Sequence, residues 1–189
     1  MNLPNRLTIL RLILTLPFVA ALSLPFPGAK LLAVGLFIVS SVTDYADGYI
    51  ARKYKLITDF GKLMDPLVDK IMTMSAFICL VSLGSVPAWA VILIVSREFL
   101  ITGLRLIATA RGKVLPAERL GKIKTVLQIV TILYCLVVIA MADQFRDLLN
   151  PLTVTLDAVG LALVLLTVGL TVWSGISYFA KNWDLVSDL

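Results

Sequence analysis

Histidine is missing from this chain altogether. Its absence removes the commonest general base and the commonest transition-metal ligand, so acid–base or metal chemistry falls to Asp, Glu, Lys or Tyr. Cysteine is nearly absent too. Cys79 and Cys135 stand apart in apolar runs with no CxxC spacing, which reads as two buried thiols without chemistry. Charge is scarce: 15% of residues are charged and 59% hydrophobic, where soluble domains carry about a quarter and about half. A water-soluble chain of 189 residues has no interior large enough to hide that much apolar surface. A bilayer does, so an integral membrane protein is expected. Acid is the scarcer sign, 12 Asp+Glu against 17 Lys+Arg, for a net charge of +5. In a membrane chain that excess reads as topology and as affinity for anionic lipid or phosphate, with no nucleic acid as partner.

What the chain has in quantity is apolar segments of spanning length, roughly 20 residues each. The first runs from about Thr8 to Leu24 and stops at "PFPG"; the second runs from Lys30 to Lys53. The third starts between Thr58 and Pro66 and reaches Leu83, where "GSVP" marks a turn. Ala88–Ala110, Ala117–Ala142 and Leu152–Ala180 complete six. The opening "MNLPNRLTILRLILTLPFVAALSL" is interrupted by Arg11 and lacks a small-residue cleavage site, so it reads as a retained helix. Six spans put both termini on one side. The basic residues agree: most fall at the helix ends on that side, and only Lys30 and Arg146 lie in loops on the other. This positive-inside bias places both termini in the cytoplasm. The expected architecture is an all-α integral membrane protein of the cell membrane, one domain over residues 1–189. It is a six-transmembrane-helix bundle with a polar, cytoplasm-facing active-site cavity.

Against that apolar background, "SVTDYADGYIARKYKLITDFGKLMDPLVDK" stands out. Asp44 and Asp47 are i and i+3 on a helix and share a face, which Gly48 and Ala51 continue with almost no side chain. Asp65 and Asp69 are i and i+4 on the following helix. A short hairpin makes the two helices antiparallel neighbours, so their polar faces can meet near the cytoplasmic membrane edge. Four carboxylates so close raise one another's pKa, and two divalent cations would relieve the repulsion. Aspartate-only ligation points to hard ions, Mg²⁺ or Mn²⁺, which commonly share their coordination with substrate phosphates. Arg52, one turn beyond Gly48, is placed to meet a phosphate or a carboxylate. Asp65 before Pro66 also fits a helix N-cap, and Asp59 and Asp147 read as loop charges. Four acids together at this depth mark function.

The run Asp44-x-x-Asp47-Gly48-x-x-Ala51-Arg52, eight residues, then Gly61-x-x-x-Asp65-x-x-x-Asp69 resembles the motif of the CDP-alcohol phosphotransferase family at all eight positions. The resemblance extends to the six-helix layout. It implies a two-metal enzyme that uses CDP-diacylglycerol, or transfers a phosphobase to diacylglycerol, and that usually forms homodimers. By the same resemblance Asp44, Asp47 and Asp65 are the main metal ligands, and Asp69 is the general base, within reach of the second metal. Gly48, Ala51, Arg52, Thr58 and Gly61 hold the cytidine diphosphate moiety. "PNRLTILR" is similar to the family's opening stretch, which adds Asn5 and Thr8 to the nucleotide pocket; both fit helix capping equally well. The implied chemistry is in-line attack on the β-phosphorus of CDP-diacylglycerol, with Asp69 taking the acceptor hydroxyl's proton.

The acceptor is read from "SREFLITGLRLIATARGK" and "ERLGKIKT". Arg97 and Arg105 lie within apolar surroundings, where an unpaired cation is expensive. Glu98 is expected to point elsewhere on the helix, leaving Glu118 or the aspartates as partners. A second anion on the acceptor would serve better, so sn-glycerol 3-phosphate is expected, held by Arg97, Arg105, Arg119 and Lys124. Arg111, Lys113 and Lys122 read as interfacial anchors to anionic membrane lipid. "REFLITGLR" and "GKIKT" are similar to strings of family members that use this acceptor. The rivals within the family take an inositol phosphate, or phosphatidylglycerol to give cardiolipin. Outside it, a cation transporter would need polar residues along a path through the bilayer, and here the acids gather at one edge.

Overall fold

The computed structural model of the chain describes residues 3–54, 59–110, 112, 119–145 and 150–183; within its helices the side chains of 3–6, 45–54, 59–67, 69 and 110 fall outside the described set. Every regular element among the described residues is helical. Helix α1 covers Leu3–Ser23, α2 Ala29–Tyr54, α3 Asp59–Ser82, α4 Ala88–Ala110 and α5 Arg119–Gln144; a 3₁₀ turn at Asn150–Leu152 leads into α6, Thr153–Lys181. These six coincide with the six apolar segments within a few residues.

The breaks fall where backbone chemistry demands them. Gly28 (φ 77°) and Gly84 (φ 73°) take the left-handed conformation that lets the chain leave one helix and enter the next. Lys30 closes the first break by donating its Nζ to the Leu22 carbonyl at 3.2 Å. Helix α3 begins at Asp59 and runs through Pro66. Asp65 is therefore a helix-interior residue and not an N-cap, and Asp59 opens the helix instead of lying in a loop.

Helix α1 packs against both α2 and α3, while α5 packs against α2 and α6, and α4 against α6. The core between them is built from Phe18, Phe37, Phe77, Leu80, Ile94 and Leu136, with Ala21, Ala33, Ala76 and Ala90 letting backbones approach. Hydroxyls staple α5 to α6: Thr131 and Thr167 share a hydrogen bond of 2.8 Å, and Tyr134 donates to the Leu156 carbonyl at 2.9 Å. Polarity is inverted relative to a soluble domain. Thr8, Arg11, Glu98, Lys124 and Gln128 are buried, whereas Leu16, Ile92, Leu166 and Trp173 are exposed. That distribution is the one a hydrocarbon surround favours. Two helical segments, Arg119–Gln144 and Asn150–Lys181, are long and apolar enough to cross a membrane.

Candidate active site

Asp44 sits in the second half of α2, facing α1. Its Oδ1 accepts a hydrogen bond from Arg11 Nη1. Arg11 is 4% exposed and the Asp44 side chain 42%, so the cation is the buried partner and the carboxylate keeps an open side. A guanidinium in the middle of an apolar helix requires a counter-charge, and the neighbouring helix supplies it. Thr15, one turn further along α1, donates to the Arg11 carbonyl at 3.0 Å and lies 4.0 Å from Met72 Sδ, which brings α3 to the same corner. Thr8 is buried one turn before Arg11. Arg11, Ser40, Asp44, Lys70, Glu98 and Gln128 line a cavity of about 70 Å³ here. Gln128 Nε2 is buried with no hydrogen-bond partner among the described residues.

Asp44 and Thr8 are thus placed. Asp47, Gly48, Ala51 and Arg52 follow Asp44 in α2, Gly61, Asp65 and Asp69 belong to α3, and Asn5 to α1; their side chains, and Thr58 entirely, lie outside the described residues. Among the described residues no three potential metal ligands come together.

The second polar centre is basic. Glu98 of α4 is 7% exposed and receives three cations from three helices. Its Oε1 accepts from Lys124 Nζ of α5 and, at 3.3 Å, from Arg97 Nη1; its Oε2 accepts from Lys70 Nζ of α3 at 2.5 Å. The expectation that Glu98 turns away from Arg97 is not met. Adjacent helical residues leave the axis about 100° apart, but Arg97 has a stem long enough to curl back to its neighbour. The space for that path comes from α6: a Cβ on Gly175 would lie 3.0 Å from Arg97 Cγ. Arg97 Nε is buried and without a hydrogen-bond partner among the described residues.

This group walls a larger cavity of about 220 Å³, lined among others by Lys70, Arg97, Glu98, Arg105, Lys122 and Lys124. Three of the four cations expected to hold a phosphate, Arg97, Arg105 and Lys124, are therefore together. Arg119 is exposed at the start of α5 and does not line this cavity. Lys122, read from sequence as a lipid anchor, does line it. Lys70, Glu98 and Thr125 line both cavities and form the wall between them. Sequence reasoning did not single out Arg11, Lys70, Glu98 and Gln128, which line these cavities. The available signal was depth, since ionisable or amide groups inside apolar helices mark functional sites or their supports.

Comparison with known proteins gives one consistent answer. Residues 1–173 match the family model described as CDP-alcohol phosphatidyltransferase. A Bacillus subtilis (strain 168) protein named CDP-diacylglycerol–glycerol-3-phosphate 3-phosphatidyltransferase is 41% identical, covering 97% of this chain and 96% of the relative. A protein of the same name from Rickettsia bellii (strain RML369-C) is 35% identical over 94% of this chain and 93% of its own length. A Mycobacterium tuberculosis (strain ATCC 25618 / H37Rv) relative, named a probable phosphatidylglycerophosphate synthase, is 39% identical over 95% of this chain and 81% of the relative.

Proposed function

This chain belongs to the CDP-alcohol phosphatidyltransferase family, and we propose that it transfers the phosphatidyl group of CDP-diacylglycerol to sn-glycerol 3-phosphate, releasing CMP. The observation that carries the acceptor is the charge of the basic centre. Among the described residues, Lys70, Arg97 and Lys124 against Glu98 leave two positive charges at the wall of a cavity. A phosphate monoester near neutral pH carries about −1.5 to −2, which neutralises them; serine or choline brings no such anion. The names of the full-length relatives support the same acceptor.

The donor side is assigned to α1, α2 and α3. Asp44 offers hard oxygen donors with an open side, and this donor type fits Mg²⁺ or Mn²⁺. Asp44, Asp47, Asp65 and Asp69 would hold two such ions. When bound, the ions offset the charge of the diphosphate and of the departing CMP. Gly48, Ala51 and Gly61 leave room for the nucleotide, Arg52 meets its phosphates, and Asn5, Thr8 and Thr58 contact it. Asp69 accepts the proton of the acceptor hydroxyl. That oxygen bonds to the phosphorus carrying the diacylglycerol, the bridging P–O bond breaks, and CMP leaves with the electron pair. Arg97, Arg105, Arg119 and Lys124 hold the acceptor's phosphate during the attack.

The setting is a multi-pass protein of the cell membrane. Six spans put both termini and the cavities on the cytoplasmic side, where both water-soluble partners are found, and the acyl chains stay in the bilayer. A homodimer is the proposed assembly. Release of CMP by the purified protein in detergent, with CDP-diacylglycerol and a panel of alcohols, tests the assignment. Release is expected with glycerol 3-phosphate in the presence of Mg²⁺ or Mn²⁺. Equal release with an inositol phosphate or with phosphatidylglycerol would overturn the acceptor, and release unaffected by chelator would overturn the metal site.

A further inference from the structure

Glu98 has no part in the transfer just described, yet it is the most heavily engaged carboxylate among the described residues. We propose that Glu98 is a positioning residue of the acceptor site, fixing the phosphate-binding Arg97 and Lys124 in register, through Lys70, with the helix that carries Asp69. This inference rests on the glycerol 3-phosphate reading.

Three observations support it. Each oxygen of Glu98 is used: Oε1 by Lys124 and Arg97, and Oε2 by Lys70. The cations come from α3, α4 and α5, so a single carboxylate gathers groups that would otherwise repel one another and separate. Second, Glu98 leaves the group incompletely neutralised. Among the described residues, three cations against one carboxylate give a net of two positive charges, and Arg97 Nε remains a buried donor without a partner. A carboxylate that served only to bury these cations would not leave that surplus facing a cavity. Third, Lys70 directly follows Asp69 in α3, and both Lys70 and Glu98 line the two cavities. The Lys70–Glu98 pair therefore ties the phosphate cradle to the segment that would supply the base. A shift in that tie moves the acceptor's hydroxyl relative to the phosphorus it must reach, and small misplacements are costly in an oriented transfer.

The test is steady-state kinetics of Glu98→Gln and Glu98→Asp in detergent, with each substrate varied in turn and inorganic phosphate as inhibitor. Glu98→Gln is expected to raise KM for glycerol 3-phosphate by about thirtyfold, within the range for truncating one partner of a buried charge pair. KM for CDP-diacylglycerol should stay within about twofold, and inhibition by inorganic phosphate should weaken by a factor similar to the acceptor's. Glu98→Asp keeps the charge on a shorter stem and should recover most of the loss, to about threefold above wild type. If Glu98→Gln cannot be recovered folded, the same split between substrates in Glu98→Asp decides the question. Equal changes in both KM values, or an unchanged KM for glycerol 3-phosphate, would overturn the positioning role while wild-type turnover leaves the proposed function standing. Wild-type protein inactive with glycerol 3-phosphate would remove the functional reading itself, and this role with it.

Discussion

Where α1 meets α2, the buried guanidinium of Arg11 meets the carboxylate of Asp44, and the carboxylate keeps an open face. Where α3, α4 and α5 meet, one buried carboxylate serves three cations, and the surplus charge borders a cavity. The same physics shapes both corners. A charge inside an apolar bundle must bring a counter-charge, because desolvation of an unpaired ion costs several kcal/mol. The difference lies in the balance: among the described residues the first corner is a neutral pair whose carboxylate keeps an open side, and the second carries an excess of positive charge. Acid remains available at the first corner and suits cations bound to a diphosphate. Base remains available at the second and suits an acceptor that is itself a phosphate.

Removing the proposed base should break the donor corner most completely. Asp69→Asn is expected to lower kcat by roughly 10²–10⁴-fold, with Mg²⁺ or Mn²⁺ binding retained in a calorimetric titration. Chelation should give a loss of similar size in wild type, restored by either ion. Arg11→Leu sharpens the contrast from the same side. It strips Asp44 of its counter-charge and should raise KM for CDP-diacylglycerol by about tenfold while leaving KM for glycerol 3-phosphate nearly constant. A rise confined to the acceptor would contradict the division. On the basic side, Gly175→Ala places a methyl against Arg97 Cγ, and the arginine must move by a few tenths of an ångström. An increase of about threefold in KM for glycerol 3-phosphate is expected. The smallest effect should come from Thr131→Val, which removes the hydrogen bond to Thr167. It should cost about 0.6 kcal/mol in thermal unfolding and change neither KM.

Much of the fold is legible in the chain itself. Helix ends at "PFPG" and "GSVP" follow from proline and glycine backbone chemistry, and the six apolar segments agree with α1 to α6 within a few residues. Four aspartates at helical spacing are too costly in an apolar chain to serve packing alone, and of these Asp44 is the one whose side chain is described, where it meets Arg11. The basic centre is only half visible. Arg97, Arg105 and Lys124 announce themselves by charge inside apolar runs. Glu98 does not, because helical geometry argues against pairing between sequence neighbours, and it is the flexible stem of Arg97 that permits it. Lys70 is hidden beside Asp69, where a one-dimensional reading assigns everything nearby to the acids. Exchange of Lys122 for Arg119 at the cavity wall has a similar origin. Which face of α5 turns inward depends on packing against α2 and α6, and α5 is apolar nearly all round.

Kinetics of Lys124→Ala, with both substrates varied, test the division of labour most directly. Lys124 is 2% exposed, reaches Glu98 from α5 and lines the cavity assigned to the acceptor but not the one at Asp44. The expected result is a rise of about tenfold or more in KM for glycerol 3-phosphate with KM for CDP-diacylglycerol within about twofold of wild type. An equal rise for both substrates would contradict the account.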